Sequence, residues 1–515
     1  MRYTYGITAA LLAGGAAATL AFQQPLAAQV PQNQPGTIAP ATPRPGAPMS
    51  FADLAARLQP AVVNISTTQK IQVNRGIPGF PSGTPFDDFF RQFGGGGGGE
   101  PVTREATSLG SGFVISPDGY VVTNNHVISG GQPGQQAAPV ESITVTLTDG
   151  KEYKARVVGR DVLSDLAVLK IEARNLPFVR FGDSTNTRVG DWVVAIGNPF
   201  GLGGTVTAGI VSALHRNIGS GAYDRYIQTD ASINQGNSGG PMFDLSGNVI
   251  GINTAIYSPT GGNVGIGFAI PAEQAKPVVD ALMSGGKVKR GYLGVGIQPM
   301  TEDIAASLGL PKDRGEIVAR VEPGAAAARA GIRQGDVIVK VAGQEVTPEN
   351  TLSYVVANLP VGTRAPIEII RDGKRQTLTA VVGERPSEQQ LAAGQGDDFS
   401  DDDSAAPGDQ SAQPAPAGLG VSLQALTPQI AQQLRVGENT KGVVIASVNP
   451  SSDAAQQGLQ RGDVILSVNQ QPVITPAQAS AAVGEARRAG RDRVLLLVQR
   501  GPSPGRYIGV KLSSR

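Results

Sequence analysis

The run Gly236-Asn237-Ser238-Gly239-Gly240-Pro241 sets a serine among glycines. Such a setting leaves the Oγ exposed while neighbouring backbone N–H groups point into the same space. Acyl transfer from a serine needs both an accessible nucleophile and donors for the oxyanion. The serine also needs a base, and the chain offers only two histidines, His126 and His215. His126 lies in Val121-Val122-Thr123-Asn124-Asn125-His126-Val127, an apolar strand running into a polar turn. Asp165 lies in Ser164-Asp165-Leu166-Ala167-Val168-Leu169-Lys170, just ahead of another expected strand. His215, followed by Arg216-Asn217 at a strand end, has no partner pattern and reads as a loop residue. The candidate catalytic set is therefore His126, Asp165 and Ser238.

Working outward, 515 residues suggest about three or four domains. Glycine supplies 68 of them, roughly twice the usual share of about 7%, which favours tight turns over helical bundles. A net charge of +1 gives no global field toward nucleic acid or an anionic membrane, so no nucleic-acid partner is expected. The absence of cysteine excludes disulfides and thiolate chemistry but leaves the redox compartment open. With no phosphate-cradling glycine-rich loop and no clustered histidines, no cofactor and no metal are expected. At the N-terminus, Arg2 precedes an apolar run from Ile7 to Phe22, and Ala27-Ala28 follow. That is the layout of a secretory signal peptide over residues 1–28, against the alternative of a retained anchor. The run falls short of the ~20 residues a span needs, so the mature protein is expected to be exported without an integral membrane span.

Residues 29–49 read as a disordered leader, and Ser50-Phe51-Ala52-Asp53-Leu54-Ala55 as the start of a capped short helix. Ala61 to Ser66 reads as a strand. From Gln69 to Thr107, Phe80, Phe86, Phe89, Phe90 and Phe93 accompany a glycine run from Gly94 to Gly99, so a long mobile loop is expected. From Leu109 to Ile270 short β runs alternate with glycine turns, the pattern of a barrel or sandwich. Among them are 112–116, 120–123, 143–147, 166–171, 192–196, 206–214 and 249–256. A helix over Glu273 to Met283 closes this unit, with Pro277 in its first turn or at a kink. Beyond it the chain repeats: Gly315, Pro323, Gly331 and Asp336 recur as Gly442, Pro450, Gly458 and Asp463, each 127 positions on. Two copies of one module are expected, over 287–385 and 416–515. The polar stretch 386–415 between them, with acidic residues from Asp397 to Asp403, lacks calcium-loop spacing and reads as a solvated linker.

The order His, Asp, Ser is that of chymotrypsin-type double β-barrels, unlike the orders of subtilisins and α/β-hydrolases. Five motifs resemble those of the HtrA/Deg family of exported serine proteases: Thr123-Asn124-Asn125-His126-Val127, Ser164-Asp165-Leu166-Ala167, Ala195 to Gly201, Gly236 to Gly240, and Gly265 to Pro271. The resemblance covers nearly everything after residue 50. It implies a mostly β fold, with a chymotrypsin-like double β-barrel protease domain over 50–286 followed by two PDZ domains. It also implies a periplasmic, ATP-independent endopeptidase for unfolded exported proteins, assembled as a homo-oligomer that is a trimer or a multiple of trimers. Chaperone or scaffold action with minor proteolysis, or narrow regulatory processing, stay as alternatives.

Carried over by motif, Ser238 is the nucleophile, His126 the base and then acid, and Asp165 the residue that orients the imidazole. The N–H groups of Gly236 and Ser238 form the oxyanion hole. Asn237 is neutral where digestive relatives carry an acidic residue that pairs with a freed N-terminus. Loops around Gln228–Asn237 and Tyr257–Gly262 are expected to organise the site instead. The family's carboxylate-binding loop maps onto Gly291-Tyr292-Leu293-Gly294-Val295, whose N–H groups would hold the C-terminus of a peptide added at a sheet edge. The second copy, Gly418-Leu419-Gly420-Val421, lacks the aromatic residue, which leaves ligand binding there open beside a role in assembly. The Gln69–Thr107 segment matches the family's regulatory loop, and without cysteine it has no redox control.

Overall fold

Runs of β-branched residues broken by glycine turns close into two six-stranded barrels. The computed structural model describes residues 50–73, 102–129, 140–199, 204–221, 223–234, 236–258, 262–387, 390–391, 418–437 and 439–513. The first barrel contains β1 (Val62–Val73), β2 (Val102–Val114), β3 (Tyr120–Asn124), β4 (Val140–Thr146), β5 (Glu152–Asp161) and β6 (Leu166–Ile171), in the closed order β1-β2-β3-β6-β5-β4. The second contains β7 (Trp192–Gly197), β8 (Thr205–Arg216), β9 (Tyr226–Thr229), β10 (Pro241–Phe243), β11 (Val249–Ile256) and β12 (Gly267–Pro271), in the order β10-β11-β12-β9-β8-β7. Closure removes the exposed sheet edges an open β-sheet would present. Val63, Ile65, Val121, Val145 and Leu169 fill the first barrel, and Val193, Val211, Ile227 and Met242 the second. β1, β2, β3, β4, β6, β7, β8 and β11 overlap strands named from the sequence, whereas β5, β9, β10 and β12 complete the barrels without having been named.

A short helix α1 (Ala52–Leu58) precedes the first barrel. The expected loop over Gln69–Thr107 is strand at both of its ends. β1 and β2 pair without interruption from Val62↔Phe113 to Val73↔Val102, so 69–73 and 102–107 are strand. A polar antiparallel ribbon satisfies its own backbone, and the aromatic–glycine composition that dominated the reading of this segment lies in 74–101, outside the described residues. Helix α2 (Asn125–Ser129) replaces the expected turn at His126. Helix α3 (Ala272–Met283) buries Ala272, Ala275, Val279 and Leu282, a helical spacing, and packs on β5, β6 and β11, bracing both barrels. Pro277 is not in the first turn but inside the helix, the other of the two expected placements. It sits in the second turn, where it leaves the Glu273 carbonyl without an i+4 donor.

The repeat forms two like sheets. The first orders β14 (Val295–Pro299), β15 (Glu316–Val321), β16 (Val337–Val341), β18 (Arg364–Arg371) and β19 (Lys374–Val381). Beside it β13 (Gly291–Tyr292) pairs with β20 (Gly383–Glu384), while β17 (Gln344–Glu345) pairs with β16. The second orders β21 (Val421–Ala425), β22 (Val443–Val448), β23 (Val464–Val468), β25 (Arg493–Gln499) and β26 (Arg506–Lys511), with β24 (Gln471–Pro472) on β23. β14 and β21 each end their sheet. Helix α4 (Glu302–Leu308) of the first module lies on β25 and β26 of the second. Met300, Ile304 and Ile317 share a core there with Leu495, Leu497 and Tyr507. The Gln298 side chain exchanges two hydrogen bonds with the Tyr507 backbone, at 2.7 and 2.8 Å, and Asp303 takes Arg493 and Gln457. The two modules thus dock directly, and residues 392–417 between them lie outside the described residues, as do 1–49. No described helix is long and apolar enough to cross a membrane.

Candidate active site

Asp165 adopts a left-handed φ of 54°, tolerable for aspartate, at the end of a turn whose N–H donates to Val162 O at 3.2 Å. That turn clasps the start of α2. The Asp165 carbonyl accepts from Asn125 N at 3.0 Å and Asn124 Nδ2 at 2.9 Å, and Oδ1 accepts from His126 N at 2.9 Å. The other carboxylate oxygen lies 2.7 Å from His126 Nδ1. The imidazole is thereby held by its own backbone and its ring at once, with Nε2 left to face elsewhere.

Ser238 belongs to the turn that enters β10. Its Oγ donates to Thr254 O at 3.5 Å, the outer limit of a hydrogen bond, and no hydrogen bond joins it directly to His126. Thr254, on β11, also donates its hydroxyl to Asp165 Oδ2 at 2.9 Å. Thr254 therefore touches both ends of the candidate set, and the reading of the sequence missed it. A threonine within an apolar strand carries no local signal; only the approach of β11 to the Asp165 turn reveals it. Gly236 has φ 97°, and a Cβ there would stand 2.6 Å from Pro199 Cβ, so the turn requires glycine. Asn237 N donates to Asn234 O at 3.0 Å and Gly240 N to Asn237 O at 3.0 Å. Among the described residues, no backbone acceptor takes the N–H of Gly236 or Ser238. The Asn237 side chain is buried against the Gly197 backbone, so it packs as a neutral group. No cluster of His, Asp or Glu able to hold a metal occurs among the described residues.

His215 is not in a loop. It is the penultimate residue of β8, where φ 58° and a register shift before Arg216 accommodate a bulge, and its Nε2 lies 3.1 Å from Arg225 Nη2. Burial and the Arg225 charge hold its pKa below the usual value. Arg225 also stacks over Tyr354 of the first repeat module, 4.5 Å from the ring centre. Nearby, Arg290 makes a two-pronged pair with Asp161 at 2.9 and 2.5 Å, and its guanidinium lies 5.0 Å from the Tyr223 ring.

In the first module, Gly294 has φ 74° and its carbonyl accepts from Glu322 N at 2.9 Å, while Leu293 O accepts from Ala327 N at 2.8 Å. Tyr292 donates to Glu322 Oε1 at 2.7 Å; burial and this bond push its pKa up to about 12. Val295 begins the edge strand β14. A cavity of about 70 Å³ opens beside the loop, lined by Gly294, Ile297, Leu352 and Val356, with Tyr223 on its wall. The second module repeats the backbone: Gly420 has φ 75° and its carbonyl accepts from Asn449 N at 2.8 Å. There the Arg487 guanidinium fills the space a side chain at Gly418 would need and donates to Ser513 O at 2.6 Å.

Residues 110–252 match the trypsin-like peptidase domain family, and 291–382 and 410–499 each match the PDZ domain family. A Brucella suis protein described as "Probable periplasmic serine endoprotease DegP-like" is 45% identical over 484 residues, 89% of this chain and 88% of its own length. A Rhizobium meliloti protein of the same description is 43% identical over 87% of this chain and 89% of its own. Among solved structures, the HtrA-type protease AlgW with a decapeptide is 43% identical, with a TM-score of 0.52 over 66% of this chain and 99% of that one. At such identity along most of both chains, this protein belongs to the HtrA/DegP-like family of periplasmic serine endoproteases and is itself a serine endopeptidase.

Proposed function

We propose that Ser238 is the nucleophile of this endopeptidase, with His126 as general base and then acid and Asp165 as the residue that orients it. The observation that carries the reading is the double hold of Asp165 on His126, through the backbone N–H at 2.9 Å and Nδ1 at 2.7 Å. A carboxylate at Nδ1 favours the tautomer with its proton there, which frees Nε2 to take the serine proton. Ser238 Oγ then attacks the scissile carbonyl carbon as its proton passes to His126, and the carbonyl π electrons move to oxygen. The N–H groups of Gly236 and Ser238 would receive that oxyanion. Collapse of the adduct breaks the C–N bond, the imidazolium protonates the leaving amine, and water repeats the sequence to release the acid. Ser238 Oγ would close on His126 when substrate binds, since catalytic hydrogen bonds commonly tighten only in the complex.

The substrates we assign are unfolded exported polypeptides, cleaved without ATP by a homo-oligomer that is a trimer or a multiple of trimers. Peptide C-termini would bind along β14, with the carboxylate on the N–H groups of the Tyr292–Val295 loop. That the HtrA-type protease AlgW has been solved with a decapeptide and with a tripeptide supports peptide binding by this family member. The boundaries read from the sequence, with an export signal over 1–28, belong to the same proposal. The test is digestion of unfolded casein by the wild type and Ser238→Ala, in excess chelator and without nucleotide. Wild-type digestion should match the untreated control, and the variant should be inactive with an unchanged melting temperature. A variant that digests like the wild type would sink the assignment of Ser238.

A further inference from the structure

Ser111 lies on β2 in the first barrel, far in sequence from the nucleophile turn, and is fully buried. Both of its donors are spent on the carbonyls of that turn. Its N–H donates to Ser238 O at 2.9 Å, and its hydroxyl donates to Gly236 O at 2.5 Å. The same hydroxyl oxygen accepts from Asn198 N at 2.8 Å, and its carbonyl accepts from Thr123 Oγ1 at 2.7 Å. One side chain thus ties β2 to the nucleophile turn and to the segment that leaves β7.

The consequence follows from peptide planarity. In a trans peptide the N–H and C=O point in opposite directions, so fixing one aims the other. The Gly236–Asn237 peptide is held at both ends, by Asn234 O on its N–H and by Ser111 Oγ on its carbonyl. This restricts ψ at Gly236, which as a glycine would otherwise rotate freely. The Asn237 carbonyl is held by Gly240 N, which by the same planarity aims the Ser238 N–H the opposite way, and Ser111 N holds the Ser238 carbonyl on the far side of that residue. We propose that Ser111 is a positioning residue of this endopeptidase: its hydroxyl and N–H hold the turn in the conformation that presents the Gly236 and Ser238 N–H groups to the oxyanion. It touches neither substrate nor reacting atoms, and the inference rests on the assignment of Ser238 and these two donors.

The experiment uses the full chain as Ser111→Ala, Ser111→Cys and, as a control, Ser238→Ala. Turnover of a chromogenic peptide is measured with affinity for a peptide boronic acid, whose tetrahedral serine adduct places a hydroxyl at the oxyanion position, and for the cleaved product peptide. Losing an oxyanion donor typically costs about 10²–10³ in turnover. Ser111→Ala should therefore lose roughly 10²-fold in kcat, with KM within about threefold, and boronate affinity should fall in step with kcat/KM. Product-peptide affinity should hold, and Ser111→Cys, which keeps a weaker donor, should lie between. A folded Ser111→Ala with kcat within about threefold of wild type overturns the proposal, as does an equal loss of boronate and product affinity. If Ser111→Ala does not fold, Ser111→Cys is judged by the same two comparisons. An active Ser238→Ala would instead bring down the underlying assignment; an inactive Ser238→Ala beside an unimpaired Ser111→Ala refutes the role of Ser111 alone.

Discussion

Arg290 is the side chain whose loss should most change how the protease and first PDZ domains hold together. It sits just ahead of β13 and makes two hydrogen bonds to Asp161 at the end of β5, with the two side chains only 10% and 12% exposed. Burial pushes the Asp161 carboxyl up, but Arg290 and the Ser164 hydrogen bonds outweigh it and hold it below its ordinary 3.8. Arg290→Ala leaves that carboxylate buried without a cation, which typically costs about 3–5 kcal/mol. The lost stacking on Tyr223 adds roughly 0.5–2 kcal/mol. Undocking the domains lets water reach Asp161, so the cost should appear as domain separation before it appears as unfolding. At about 1.4 kcal/mol per tenfold, 3–5 kcal/mol shifts the docked-to-undocked ratio by roughly 10²–10³·⁵.

The assay is cleavage by added trypsin at Lys287 and Lys289, both exposed in the segment leading to Arg290, in a Ser238→Ala background. Cleavage of a transiently opened segment follows the open population when reclosure is fast. Arg290→Ala should raise the rate at least tenfold, and adding Asp161→Asn should recover part of the loss. Because the folded pKa of Asp161 lies below 3.8, the pair's contribution is present above that value and lost only as pH falls beneath it. Wild-type cleavage susceptibility from this source should therefore be flat from about pH 5 to 8. An unchanged trypsin rate, or single effects that simply add in the double variant, would refute the reasoning.

Glu316 is buried, has one carboxyl oxygen without a partner, and is pushed up to about 7 by burial despite a hydrogen bond from Leu352 N. Its folded pKa exceeds the ordinary 4.5, so stability is greatest below 4.5 and declines as pH rises through about 7. Glu316→Gln should match wild type at pH 4 and gain up to about 3 kcal/mol by pH 8 in denaturant melts; a gap that does not widen with pH refutes this. Thr254→Val removes the hydroxyl that donates to Asp165 Oδ2 while nearly keeping the shape, and should lower kcat roughly 10- to 100-fold, the usual weight of a hydrogen bond to a charge. A kcat unchanged within about twofold would show that Thr254 is only a packing residue.

What the sequence determined by itself is what local chemistry writes into consecutive residues. The serine among glycines, the aspartate before an apolar run and the repeated Gly-Asp signatures each depend on neighbours in the chain, so motif order was enough to indicate a double barrel followed by two like modules. Where composition misled, a nonlocal pairing had won. Polar residues at 69–73 and 102–107 look like loop until β1 meets β2, and His215 looks loop-bound until the β8 bulge and Arg225 take it. Only the tertiary structure could bring Ser111 from β2 and Thr254 from β11 to the nucleophile turn, or put Arg290 on Asp161. Serines, threonines and arginines at those positions are locally unremarkable. Their partners lie tens to more than a hundred residues away, and burial, which makes each of those hydrogen bonds consequential, exists only once the barrels close.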